Sequence, residues 1–221
     1  MTEPAPLPPA QEDPAVTAGQ AAQAAYGPRL DAIRNDPGLS DLAKAEAIAA
    51  VHAEHSAELE RLAVDLHARR TARLEHLQGQ IPIGPGVPRD ASPADAAVMT
   101  TAFRAALEQA RAASPDQRRQ MLADAVRFDD KPALRALLTA AQDSGDVKLV
   151  GAWAAATGNA ELLAEIRALS EEIAGRGQGR AWAAQAFRPA KTPAEARSLP
   201  ALRHSAEQAA QAARPVSRYF R

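Results

Sequence analysis

An all-α fold is predicted by three observations. Alanine, the strongest helix former, supplies 56 of 221 residues. Runs of β-branched residues are nearly absent, and only two Trp and two Tyr occur. Ser-Pro, Asp and Gly punctuation falls where helix caps belong. Leu, Ile, Val and Phe together make up 39 residues, about 18%, below the roughly 20% of a self-sufficient globular core. Alanine buries little area, so the expected product is well-formed helices with thin cores. These should gain by packing on copies of themselves or on a larger partner. The predicted architecture is a long amphipathic helix, then a bundle or short solenoid of helical hairpins, with extended N- and C-terminal arms.

Residues 1–15 are Pro-rich and acidic, the composition of an extended arm. A short helix is expected at 17–25 and a second at 28–35, with Pro28 in its first turn. The turn NDPG (35–38) follows. Ser40 then caps a helix over about 41–78, closed by Gly79; at 1.5 Å per residue it would run ~57 Å. Its stripe reads Ile48, Val51, His55, then Leu59, Leu62, Leu66, then Arg70, Leu74, Leu77. The period of about 11 keeps such a stripe nearly straight. Leu30 and Ile33 cover one end only, so the remainder must meet another subunit or a second domain. Ile48, Val51, Leu59, Leu62 and Leu66 are the candidate helix-pairing residues.

GQIPIGPGVPRD (79–90) has three prolines and three glycines in 12 residues and reads as a strap lying on a surface. Ser92-Pro93 with Asp95 opens a helix to about 113, Ser114-Pro115-Asp116 another to about 127, and Asp130 a third over 131–142. A weak repeat at an offset of 13 follows: Gly145, Asp146, Leu149 and Trp153 align with Gly158, Asn159, Leu162 and Ile166. Units of this kind stack as hairpins in helical solenoids, although two are fewer than a repeat family needs. GRGQGR (175–180) reads as a flexible break, followed by short helices at 180–187, 193–198 and 201–213. The division expected is an arm at 1–15, a helical hairpin at 16–79, a linker at 80–91, a helical domain at 92–174 and a basic segment at 175–221.

The formal charge of −1 hides an asymmetry. From Arg176 onward nine basic and two acidic residues give +7, while residues 1–175 carry 17 basic and 25 acidic residues, giving −8. The chain ends ARPVSRYFR. Two adjacent rings flanked by arginines have the composition of an interface anchor, and Pro215 presents the last residues extended. Arg214, Arg218, Tyr219, Phe220 and Arg221 are therefore the candidate docking residues. The alternative is nucleic acid, bound through dispersed arginines of 176–221 with Tyr219 and Phe220 stacking on bases.

No cysteine is present, which excludes disulfides and thiolate chemistry. His52, His55 and Glu58 lie close along one helix, but zinc needs further ligands and second-shell support, and His55 fills a stripe position. GRGQGR lacks the strand and the glycine spacing of a phosphate cradle. The stretch RRTAR (69–73) reads as part of a solvated face, with phosphate contact the lesser reading. No GxSxG elbow occurs. The reading is of a non-enzyme with no catalytic residue, cofactor or metal. No segment approaches the 18 apolar residues of a membrane span, and MTEPAPLPPAQEDP has neither the basic nor the apolar region of a secretory signal.

The Pro-rich start, NDPGLSDLAKAEAIAAV (35–51), the long charged helix and the strap IPIGPGVP (81–88) give the chain a texture over about 30–170. It resembles the small Ala- and Arg-rich helical structural or assembly proteins of tailed bacteriophages. The resemblance implies a virion or assembly role, capsid-, neck- or scaffold-associated, and residence in the virion or host cytoplasm. Scaffolding proteins of that kind are often acidic and helical with a basic C-terminus that grips the coat protein, so the implied partners are copies of itself and coat, portal or neck proteins. A helical-repeat adaptor is a further alternative.

Overall fold

The computed structural model describes residues 7–9 and 12–213, apart from the side chains of 177–180 and 182. Every regular element among them is helical: α1 (Pro14–Arg34), α2 (Asp41–Gln80), α3 (Pro93–Ala112), α4 (Pro115–Arg127), α5 (Lys131–Ser144), α6 (Val147–Thr157), α7 (Ala160–Ile173), α8 (Gly177–Ala186) and α9 (Ala194–Ala212). No described helix is long and apolar enough to cross a membrane. The chain forms two compact units. The central unit takes Ala72–Glu171, and the terminal unit takes the described residues of Ala5–Thr71 and Glu172–Arg221. This differs from the sequence division: the hairpin and the basic segment belong to one body, and the boundary falls inside α2 instead of in the strap.

In the central unit the caps do what their residue types dictate. Ser92 accepts from the Asp95 amide, Ser114 and Gln117 form a reciprocal capping box, and Asp130 and Asp146 accept from the amides of Ala133 and Leu149. Gly145 and Gly158 end α5 and α6 in the left-handed conformation. Helix α5 packs against α3, α4 and α6. Leu137, Leu138, Leu149 and Trp153 are almost wholly buried there, joined by Leu122 and several alanines. Ile81 packs on the same core, so the strap lies on a surface as its composition requires. The repeat is unequal. Asp146 caps α6, whereas the Asn159 side chain donates to Thr157, and Trp153 is buried where Ile166 is only half-buried.

The terminal unit corrects several expectations. Helix α1 is one element, with Pro28 inside it. The residue before a proline is pushed from helix partly by its Cβ, and Gly27 has none. Helix α9 likewise passes through Pro200. The break at 175–180 narrows, because α8 begins at Gly177. The α2 stripe is covered by its own chain. Leu62 and Leu66 pack with Ala15, Val16, Ala186 and Phe187, and Ile48 and Leu59 are at most 1% exposed. No second subunit is required for these positions. Continuous α1 and the C-terminal helices supply the cover that short, separate helices do not.

Gly19 sets how closely α8 approaches α1. A Cβ there would come within 2.9 Å of the Ala186 carbonyl oxygen and the Phe187 ring. Gly19→Val is therefore expected to destabilise the terminal unit by about 1–3 kcal/mol. Gly151→Ala, in α6 with nothing within 4 Å of the added methyl, should stabilise the central unit by about 0.5–1 kcal/mol. Urea denaturation followed by ellipticity measures both.

Candidate functional site

The strongest electrostatic feature of the terminal unit is a buried network that joins residues far apart in sequence. Asp13 is fully buried and caps α1 by accepting the Ala15 amide at 2.9 Å. Arg69 donates to both of its oxygens, at 2.8 and 3.3 Å. Arg70, 4% exposed, approaches the same carboxylate at 3.7 Å and pairs with Glu172. Ions so far from water must be matched by partners, and here two carboxylates meet two guanidiniums. Asp13 also stands at the positive end of the α1 dipole, where a negative charge is favoured. Burial raises the Glu172 carboxyl above its ordinary range; Arg70 opposes this and Asp13 adds to it. In the central unit Arg73 is buried and donates to Glu165 at 2.9 Å. The RRTAR stretch is thus neither a solvated face nor a phosphate contact, since Arg69, Arg70 and Arg73 all serve internal carboxylates.

The histidine group is also structural in its contacts. The Tyr26 ring stacks on His55 with centroids 4.2 Å apart, and its hydroxyl meets His52 Nδ1 at 2.9 Å. His55 is 3% exposed, and its Nε2 has no hydrogen-bond partner. Burial holds the His55 imidazole below its ordinary value, with Glu58 opposing and His52 and Arg29 adding to the effect. Among the described residues no group of three or more His, Asp or Glu is arranged to hold a metal.

Part of the basic segment faces the acidic N-terminal hairpin. Arg203 pairs with Glu46, Glu195 receives Arg34 at 2.8 Å, and Gln23 donates to the Arg188 carbonyl. Of the predicted helix-pairing residues, Ile48, Leu59, Leu62 and Leu66 are buried within the chain and Val51 is half-buried. The docking residues Arg214, Arg218, Tyr219, Phe220 and Arg221 lie outside the described residues.

A surface feature missed by sequence reasoning lies at the α4–α5 turn. Phe128 is 71% exposed, and the Arg127 guanidinium sits over its ring, 5.3 Å from the centroid. The turn is fixed: the Phe128 amide donates to Asp124, the Asp130 amide donates to Ala125, and Asp129 adopts φ 51°. A ring is thereby held in solvent on rigid backbone. Its one sequence signal was an aromatic placed directly before Asp-Asp.

Asp13→Ala leaves buried Arg70 and half-buried Arg69 short of charge and removes the α1 cap, so a loss of about 3–5 kcal/mol is expected in denaturant unfolding. The two shifted groups act with opposite signs. His55 has a depressed folded value, so its contribution is present above about pH 6.5 and is lost as pH falls; His55→Phe should flatten the melting temperature on that acid side. Glu172 has a raised folded value, so its contribution is present in acid and is lost as pH rises through that value; Glu172→Gln should remove that slope. No family model, curated protein or solved structure matches this chain.

Proposed function

We propose that this chain is a non-enzymatic structural or assembly protein of a phage-like particle that binds coat or connector proteins through helical surfaces. The observation that supports this reading is Phe128, a large apolar ring 71% exposed on a turn that several backbone hydrogen bonds fix. Aromatic and arginine side chains together dominate the energetics of protein interfaces, and here Arg127 and Phe128 are adjacent and already in contact. A rigid anchor loses little conformational freedom on docking. Val126 beside it is also exposed. The texture shared with phage assembly proteins and the basic chain end support the same reading, with residues 214–221 as a second contact.

The test is co-sedimentation of the purified chain with the coat and connector proteins of its own particle. Phe128→Ser should weaken binding by at least about tenfold, the effect of losing an interface anchor of ~1.4 kcal/mol or more, with unchanged helicity by circular dichroism. Removal of 214–221 should leave helicity unchanged and abolish partner binding. Nucleic-acid binding that falls log-linearly with salt, with no binding to coat or connector proteins, would replace this reading with the alternative of a nucleic-acid accessory protein.

A further inference from the structure

The strap and helices α5 and α6 of the central unit bound a cavity of about 240 Å³. Its charged wall comes from Lys131 and Arg135, and its apolar wall from Leu134, Pro82 and Trp153. Arg135 is half-buried and lies flat against the strap at Gly86, where a Cβ would collide with the guanidinium. Gly86 also has φ 66°, the left-handed backbone that favours glycine where the strap crosses Arg135. Among the described residues no carboxylate lies within ion-pair distance of Arg135 or Lys131. Trp153 is 2% exposed, and its indole N–H has no acceptor. The neighbouring polar groups are occupied by one another: Asn159 Nδ2 donates to Thr157, and the Thr157 hydroxyl donates to the Trp153 carbonyl. The cavity therefore gathers two cations, neither in an ion pair among the described residues, beside the buried Trp153 indole.

We infer that this cavity binds a small organic monocarboxylate, its head on Arg135 and Lys131 and its apolar body against Leu134, Pro82 and the Trp153 indole. A planar guanidinium matches a carboxylate with paired hydrogen bonds. At roughly 30 Å³ per water the space equals about eight waters, enough for a head group and a short apolar body. Asp129 on the same wall lowers the net charge to +1, which balances a monoanion and leaves a second charge of a dianion such as phosphate unmatched. The carboxylate has two sources, a free acid or a glutamate side chain of another polypeptide, and both present the same chemistry to the pocket.

Uniformly ¹⁵N-labelled full-length protein gives two indole N–H signals, one for each tryptophan in the sequence, and Trp182→Phe assigns that of Trp153. Butanoate is titrated as the free acid, N-acetylglutamate amide as the side chain and inorganic phosphate as the dianion. A saturable shift of the Trp153 signal with a millimolar Kd is expected for at least one carboxylate. Butanoate binding alone identifies a free acid, and tighter binding of the glutamate amide identifies a polypeptide side chain. Arg135→Gln should weaken binding at least about tenfold, and Lys131→Ala, at an exposed position, should weaken it several-fold without touching the strap. No saturable shift with either carboxylate, unchanged affinity in both variants, or tighter binding of phosphate would overturn the inference. Binding of a free acid does not depend on any assembly partner, so its failure leaves the Phe128 surface unaffected.

Discussion

Asp13 is the constraint on which the terminal unit depends. A carboxylate with no access to water is tolerable only if its lone pairs and its charge are met: Arg69 and the Ala15 amide donate to it, and Arg70 adds a positive charge 3.7 Å away. Arg70 in turn needs Glu172, because one distant contact does not balance a buried guanidinium. The start of α1, the middle of α2 and the end of α7 are thereby tied by electrostatics. The apolar contacts among Val16, Leu62, Leu66 and Ala186 are few and small. In a unit so rich in alanine, hydrophobic area gives little margin, and the ionic network supplies much of the specificity of which helix meets which.

Much of the helical architecture was legible because caps are local. Ser92, Ser114, Asp130 and Asp146 each act within three residues of themselves, and the strap announced itself through proline and glycine. Two errors arose from reading proline as a terminator. Pro28 and Pro200 both lie inside helices, the first where the preceding glycine relieves the steric objection. The division into units was not legible, because it rests on pairs far apart: Arg69 with Asp13, Arg34 with Glu195, Arg203 with Glu46. The arginines of 69–73 read as solvent-facing because a helical charge pattern does not reveal which face is covered. Phe128 was overlooked for the opposite reason: an aromatic is expected inside unless backbone geometry is known.

The charge asymmetry takes on a different meaning with the fold in view. An acidic N-terminal body and a basic C-terminal end look like a molecule and its docking segment. Within the described residues they are partly partners of each other: Arg203 pairs with Glu46 in that sense, and Arg34 pairs with Glu195 in the opposite one. Internal charge complementarity of this kind lowers the field that the segment presents outward. It shifts attention from bulk charge to particular side chains, Arg127 and Phe128 on one surface and Arg135 and Lys131 around a cavity.

The terminal unit is assembled from two stretches of chain that flank the central one, and this imposes an order on synthesis. Asp13 and Arg69 leave the ribosome early, but Glu172, Ala186 and Phe187 emerge only after the whole of the intervening unit. The central unit, continuous in sequence and rich in near-neighbour contacts, is the part able to fold while translation proceeds. Until the late helices arrive, the α1–α2 hairpin waits with Leu62 and Leu66 incompletely covered and Arg70 without its second carboxylate. During that interval, more than at any time after completion, the nascent polypeptide is open to chaperones, proteases and its own neighbours.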